Sequence, residues 1–130
     1  MMMMQPKIVK VSNLKEYLTP ERCYIFENWG ISTGDEKVSI ARARVKPGFS
    51  TKTHHLEGVQ EIYLITEGIG KVQVGNVKPS EVTVGDVVVI PAGISQKITN
   101  IGKTDLIFHC ICTPAFTQSC YFDEETETAP

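Results

Sequence analysis

The residues with the most chemistry in this chain are His54, His55, Glu61 and Tyr63, close together in sequence, with a third histidine, His109, far downstream. An imidazole and a carboxylate set near one another make either a ligand pair for a divalent metal or a pair that passes a proton near neutral pH. Glu61 heads the run Glu61-Ile62-Tyr63-Leu64-Ile65, whose composition is that of a strand. Strand side chains alternate, so Glu61, Tyr63 and Ile65 share one face and Ile62, Leu64 and Thr66 the other. Both faces are largely apolar, which puts Glu61 in an interior. An isolated ionised carboxylate there costs several kcal/mol unless a partner, a proton or a metal relieves it. His54, seven residues upstream, is the co-ligand expected from a neighbouring strand. Tyr63 is expected to line the same pocket as a phenol.

His109 sits in Leu106-Ile107-Phe108-His109-Cys110-Ile111-Cys112. It shares a face with Ile107 and Ile111, and Phe108, Cys110 and Cys112 take the other. If the isoleucine face is the inner one, His109 supplies a ligand or an acid/base group; otherwise it is a hydrogen-bonded core residue. Cys110 and Cys112 share a face, so a metal or redox role is conceivable, but buried free cysteine packs as a small hydrophobe, and that is the reading preferred here. Lys37 to Lys46 alternates strongly, with Ser39, Ala41, Ala43 and Val45 against Arg42, Arg44 and Lys46. Arginines facing inward would clamp a carboxylate or phosphate. The small apolar face is the more natural interior, which sends Arg42 and Arg44 outward, toward solvent or a partner subunit.

The elements that must position these groups are short. At 130 residues, 42% apolar and 22% charged, the chain is one ordinary globular domain spanning 1–130. A net charge of -2 provides no basic stripe for nucleic acid. The opening Met-Met-Met-Met-Gln-Pro is too short for a signal peptide or a membrane span, and the four cysteines do not form the pattern of a stapled secreted domain. A cytoplasmic protein is expected.

Strands are expected at Lys7 to Val11, Cys23 to Glu27, Lys37 to Lys46, Glu61 to Ile65, Lys71 to Val74, Glu81 to Val84, Val87 to Ile90, Gln96 to Ile101 and Asp105 to Thr113, with a helical turn within Ser12 to Leu18 closed by Pro20. Val87-Val88-Val89-Ile90 reads as a strand covered on both faces. Residues 123–130 read as a solvated, disordered acidic tail. Many short strands with turns at regular intervals imply an all-β barrel or double-sheet jelly roll.

The spacing then becomes specific. Gly48, five residues, His54-His55-Leu56, four residues, Glu61, six residues and Gly68 make a first motif; Gly85, five residues, Pro91-Ala92-Gly93, two residues, Gln96, three residues and Asn100 make a second. Together they resemble the two motifs of the cupin superfamily, over residues 48–100. The resemblance implies a small double-stranded β-helix, the cupin or jelly-roll barrel, commonly holding one divalent metal through three histidines and a glutamate at its mouth. Here Leu56 stands where the second histidine belongs and Gln96 where the third belongs.

The metal set that the resemblance leaves is His54, Glu61 and Gln96. Regular strand geometry turns His55 away, although a bulge at Leu56-Glu57-Gly58 would re-aim it inward. Such donors suit manganese, iron, nickel or zinc. The alternative is a hydrogen-bonded polar cluster of Glu61, His54 and Gln96 in an apolar barrel.

Three functional classes follow. One is a metal-dependent enzyme on a small organic molecule, with Tyr63 and His109 as candidate catalytic groups and dioxygenase, isomerase, epimerase or decarboxylase chemistry allowed by the family. The second is a non-catalytic protein that binds or senses a sugar, metabolite or metal. The third is a closed structural barrel. Small cupins commonly pair, so a homodimer is expected.

Overall fold

The computed structural model describes residues 5–125. Eleven strands follow in order: β1 (Tyr17–Leu18), β2 (Tyr24–Trp29), β3 (Ser39–Val45), β4 (His54–Leu56), β5 (Gln60–Glu67), β6 (Ile69–Val74), β7 (Ser80–Thr83), β8 (Val87–Ile90), β9 (Gln96–Asn100), β10 (Leu106–Thr113) and β11 (Tyr121–Asp123). They form two antiparallel sheets, ordered β1-β2-β3-β10-β5-β8 and β11-β4-β9-β6-β7. This is the all-β double-stranded β-helix expected from the sequence.

The alternation of each strand decides what lies between the sheets. From the first sheet come Ala43 and Val45 of β3, Tyr63 and Ile65 of β5, Val88 and Ile90 of β8, and Phe108 and Cys110 of β10. From the second come Val72, Val82 and Ile98. A smaller cluster of Leu56, Val59, Cys112 and Cys120 closes one end. The outer face of β3 carries Arg42 and Arg44 as read from the sequence. Arg44 pairs with Glu16 at 2.8 Å and Asp105 at 3.2 Å and lies 4.3 Å over the Tyr24 ring.

Two motif residues hold turns rather than ligands. Asn100 is 1% exposed; its Nδ2 donates to the carbonyls of Val45 and Thr104, each at 2.8 Å, and its Oδ1 accepts from Gly102 N at 2.9 Å. Gly68 has φ +86°, and a Cβ there would lie 2.6 Å from the Asp105 carbonyl oxygen, so β5 can pass into β6 only through glycine.

Four expectations are corrected. Lys7 to Val11 is exposed and unpaired, because no sheet edge lies alongside it. The turn expected within Ser12 to Leu18 is a 3-10 turn at Val11–Asn13, and Tyr17–Leu18 instead pairs with β2. β8 is an edge strand, with Val87 55% and Val89 53% exposed, so it is covered on one face only. Of the acidic tail 123–130, Asp123 ends β11 opposite His54 of β4 and takes Lys52 at 3.3 Å, and Glu125 Oε2 accepts from Thr53 N at 2.6 Å, because these carboxylates find donors; 126–130 lies outside the described residues.

Candidate functional site

β5 carries Glu61 inward between Ile90 of β8 and Cys112 of β10. Glu61 is 8% exposed; Oε2 is 3.6 Å from the Cys112 thiol, and Oε1 has no partner. Burial pushes its carboxyl up to about 7, the Glu21 carboxylate adds to the rise, and His54, Gln96 and Cys112 pull the other way.

His54 comes from the opposite sheet, not from a strand paired with β5, and reaches the same interior because β4 turns His54 and Leu56 inward. It is 3% exposed and stacked on Tyr121, with ring centroids 4.8 Å apart. Nδ1 lies 2.7 Å from the Lys52 carbonyl, which can only accept, so Nδ1 carries a proton and Nε2 is the nitrogen left for a ligand. Gln96 pairs in register with His54 and is 1% exposed. Its Oε1 accepts the Tyr63 hydroxyl, and its Nε2, without a partner at full hydrogen-bond distance, is the group that favours the charged form of Glu61. Burial raises the Tyr63 phenol well above its ordinary range, so it is a donor rather than a base.

The remaining candidates fall elsewhere. β4 pairs with β11 without a bulge, so His55 points outward, stacked on Phe122 and 2.8 Å from Glu124 Oε2. His109 shares its face with Ile107 and Ile111, between Arg42 and Leu64 of the flanking strands. The other face of β10 is the inner one: Phe108, Cys110 and Cys112 line the cavity and His109 does not.

That cavity, about 540 Å³, opens between the sheets and is bounded by His54, Glu61, Tyr63, Leu56 and a wall of Trp29, Phe108, Phe116 and Tyr121. Sequence reasoning missed one of its polar residues. Glu21, in the turn before β2, accepts from the Cys23 thiol at 3.2 Å through Oε1, and its Oε2 lies 3.5 Å from His54 Nδ1, an ion-pair distance without a hydrogen bond. No periodicity marks a turn residue, and the only sequence signal was a carboxylate next to a buried strand.

The family metal can be tested against these groups. His54 and Glu61 fit a divalent cation as two of its ligands, through Nε2 and the unpartnered Oε1. The complete set does not assemble: Leu56 fills one ligand position, Gln96 Oε1 is engaged by Tyr63, and among the described residues no three His, Cys, Asp or Glu side chains form a metal-holding group.

Comparison with known proteins agrees with the topology. The chain is 35% identical over 129 residues to an uncharacterized protein of Methanocaldococcus jannaschii, covering 96% of this chain and 98% of that one. It is 43% identical over 69 residues to an oxalate-binding protein of Thermotoga maritima, covering 53% of this chain and 56% of that one. It superposes on the crystal structure of a predicted oxalate decarboxylase from Thermotoga maritima with a TM-score of 0.75 at 27% identity, covering 83% of this chain and 99% of that one. A family model described as a cupin domain matches residues 41–112, the span from β3 to β10 that carries both motifs, with His54, Glu61, Tyr63 and Phe108 of the cavity wall. With two sheets in this order and its motif residues at the turns and the cavity wall, the chain belongs to the cupin domain family.

Proposed function

We propose that the cavity binds a small organic molecule, with His54, Glu61 and Glu21 as its polar end and the aromatic wall against the ligand body. The observation that carries this reading is the unpartnered Glu61 Oε1 on the wall of a 540 Å³ cavity. A buried acceptor without a donor costs free energy that a ligand N–H or O–H recovers. The volume falls within the roughly 300–1,000 Å³ of ordinary small-molecule sites.

A carboxyl poised at about 7 exchanges a proton with a bound molecule near neutral pH, the requirement for general acid/base work. His54 Nε2 accepts or returns a proton on the same side, and Tyr63, anchored to Gln96, is available to orient an oxygen. The protein is then an isomerase-type enzyme; if the bound molecule has no labile proton within reach, the same groups make a binding or sensor protein.

A second reading, also favoured by the unpartnered Glu61 Oε1, adds a divalent cation (manganese, iron, nickel or zinc) held by His54 and Glu61, with Gln96 as third ligand if it releases Tyr63. When bound, such an ion polarises a substrate oxygen. We further propose a homodimer, because the open edge of β8 with exposed Val87 and Val89 is the kind of surface a second copy covers. Among the described residues no helix is long and apolar enough to cross a membrane, and the four buried, unbridged cysteines suit a reducing cytoplasm.

Ligand-observed NMR with a fragment library tests the reading. Binding is expected to the native chain and to fall at least tenfold in Ala41→Phe, which puts a ring into the cavity, and severalfold in Ala41→Leu. Fragments that bind all three proteins equally would refute it.

A further inference from the structure

The groups that face the cavity have an unbalanced chemistry. Among the described residues four carboxyls line it, from Glu21, Glu27, Glu61 and Asp123, against a single ammonium, Lys52. That ammonium is taken, 3.3 Å from Asp123 Oδ2. Among the described residues no arginine lines it; Arg22 and Arg44 are engaged with Glu125 and with Glu16 and Asp105.

The hydrogen-bonding groups are skewed the same way. Glu61 Oε1 and Glu21 Oε2 are buried acceptors without a donor, and Glu61 is 8% exposed. Three of the protein's own donors at this end are committed, His54 Nδ1 to Lys52 O, Tyr63 Oη to Gln96 and Thr19 Oγ1 to Cys23 O; Gln96 Nε2 is a buried donor left open, but Gln96 lies behind the cavity wall rather than on it. A carboxylate entering here would give up its hydration shell and meet the like charge of Glu21 and Asp123, against which the partly protonated Glu61 carboxyl offers a single O–H. An N–H or O–H would meet two open oxygens. The rest of the wall, Trp29, Phe108, Phe116 and Tyr121, suits a flat apolar body, and the carboxyls beside it suit a cation.

We infer, resting on the reading of this cavity as a small-molecule site, that it selects a neutral or cationic aromatic molecule bearing hydrogen-bond donors and rejects carboxylates, oxalate included. The relatives named for oxalate share the fold. Among the described residues no free cationic side chain, the partner that a dianion needs, lines this chain's cavity.

Three probes of one shape and different charge test this: 2-naphthylmethylamine, 2-naphthylmethanol and 2-naphthoate, titrated by calorimetry into the protein as purified and after chelation, with oxalate as a fourth titrant. The amine and the alcohol are expected to bind at least tenfold more tightly than naphthoate, with oxalate silent. In Glu21→Gln, which removes the charge and keeps an oxygen that accepts, the preference of amine over naphthoate is expected to shrink severalfold. Naphthoate or oxalate binding as tightly as the amine overturns the inference and leaves the cavity reading standing. If that tight anion binding disappears on chelation, the inference is overturned in favour of the metal-bound site. Failure of all three naphthyl probes to bind, or binding unchanged in Ala41→Phe, overturns the cavity reading and the inference with it.

Discussion

Glu61→Gln separates the cost of the buried carboxyl from everything else in the fold. In the native chain the Glu61 carboxyl titrates at about 7 rather than 4.5, chiefly because burial disfavours its charged form. Below pH 4.5 folded and unfolded chains both carry the proton and Glu61 costs nothing. Between 4.5 and about 7 the unfolded chain has released it and the folded chain has not, so stability falls as pH rises, and above 7 the loss is complete. At about 1.4 kcal/mol per unit, that interval amounts to about 3 kcal/mol. Glutamine mimics the protonated group at every pH, so the stability of Glu61→Gln minus that of the native chain is expected to grow by about 3 kcal/mol from pH 4.5 to pH 8. Paired urea melts in the presence of a chelator read this difference directly, because groups common to both proteins cancel. A difference that stays flat across that range, or that shrinks as pH rises, would refute the placement of Glu61 as a desolvated, unpaired carboxyl.

Asn100→Ala removes the partner of the Val45 and Thr104 carbonyls and of Gly102 N; urea melts are expected to show a loss of about 2–4 kcal/mol. In the metal-bound reading Glu61→Gln lowers bound divalent metal severalfold with the barrel still folded, and unchanged stoichiometric metal on elemental analysis would sink that reading. The double variant Leu56→His with Gln96→His restores two imidazoles and, in a chelator competition titration, is expected to bind nickel and zinc at least tenfold more tightly than the native chain; equal affinities would mean that these positions do not face one centre. Sedimentation is expected to give twice the 14.4 kDa chain mass, reverting to one chain in Val89→Lys, and a native mass of one chain would contradict the dimer.

The inner face of β3 was legible because the strand is amphipathic with period two: Ser39, Ala43 and Val45 lie inside as the alternation requires, whereas β5 is apolar on both faces and only the motif position of Glu61 marked the face that turns inward. The motif spacing located His54, Glu61 and Gln96 near one another, since turn lengths and strand pairing fix those distances. What pattern alone could not decide is anything set by closure of the sheets. β10 is apolar on both faces, so the inward turn of Cys110 rather than His109 depends on how β3 and β5 pack beside it. The run Val87 to Ile90 reads the same at a sheet edge as at its centre, and only topology makes it an edge. Glu21 belongs to a turn, where no periodicity exists, and it enters the site because β2 begins beside the cavity.

The space between the sheets is proposed to hold a small organic molecule. Chemical-shift mapping of the 15N- and methyl-labelled chain with 2-naphthylmethylamine tests it most directly. Saturable shifts are expected at Ile25, Ala43, Tyr63, Phe108 and Tyr121 around the cavity, with Val87 and Val89 on the outer face unmoved. Shifts confined to Val87, Val89 and their outer-face neighbours, or none at all at millimolar probe, would contradict it.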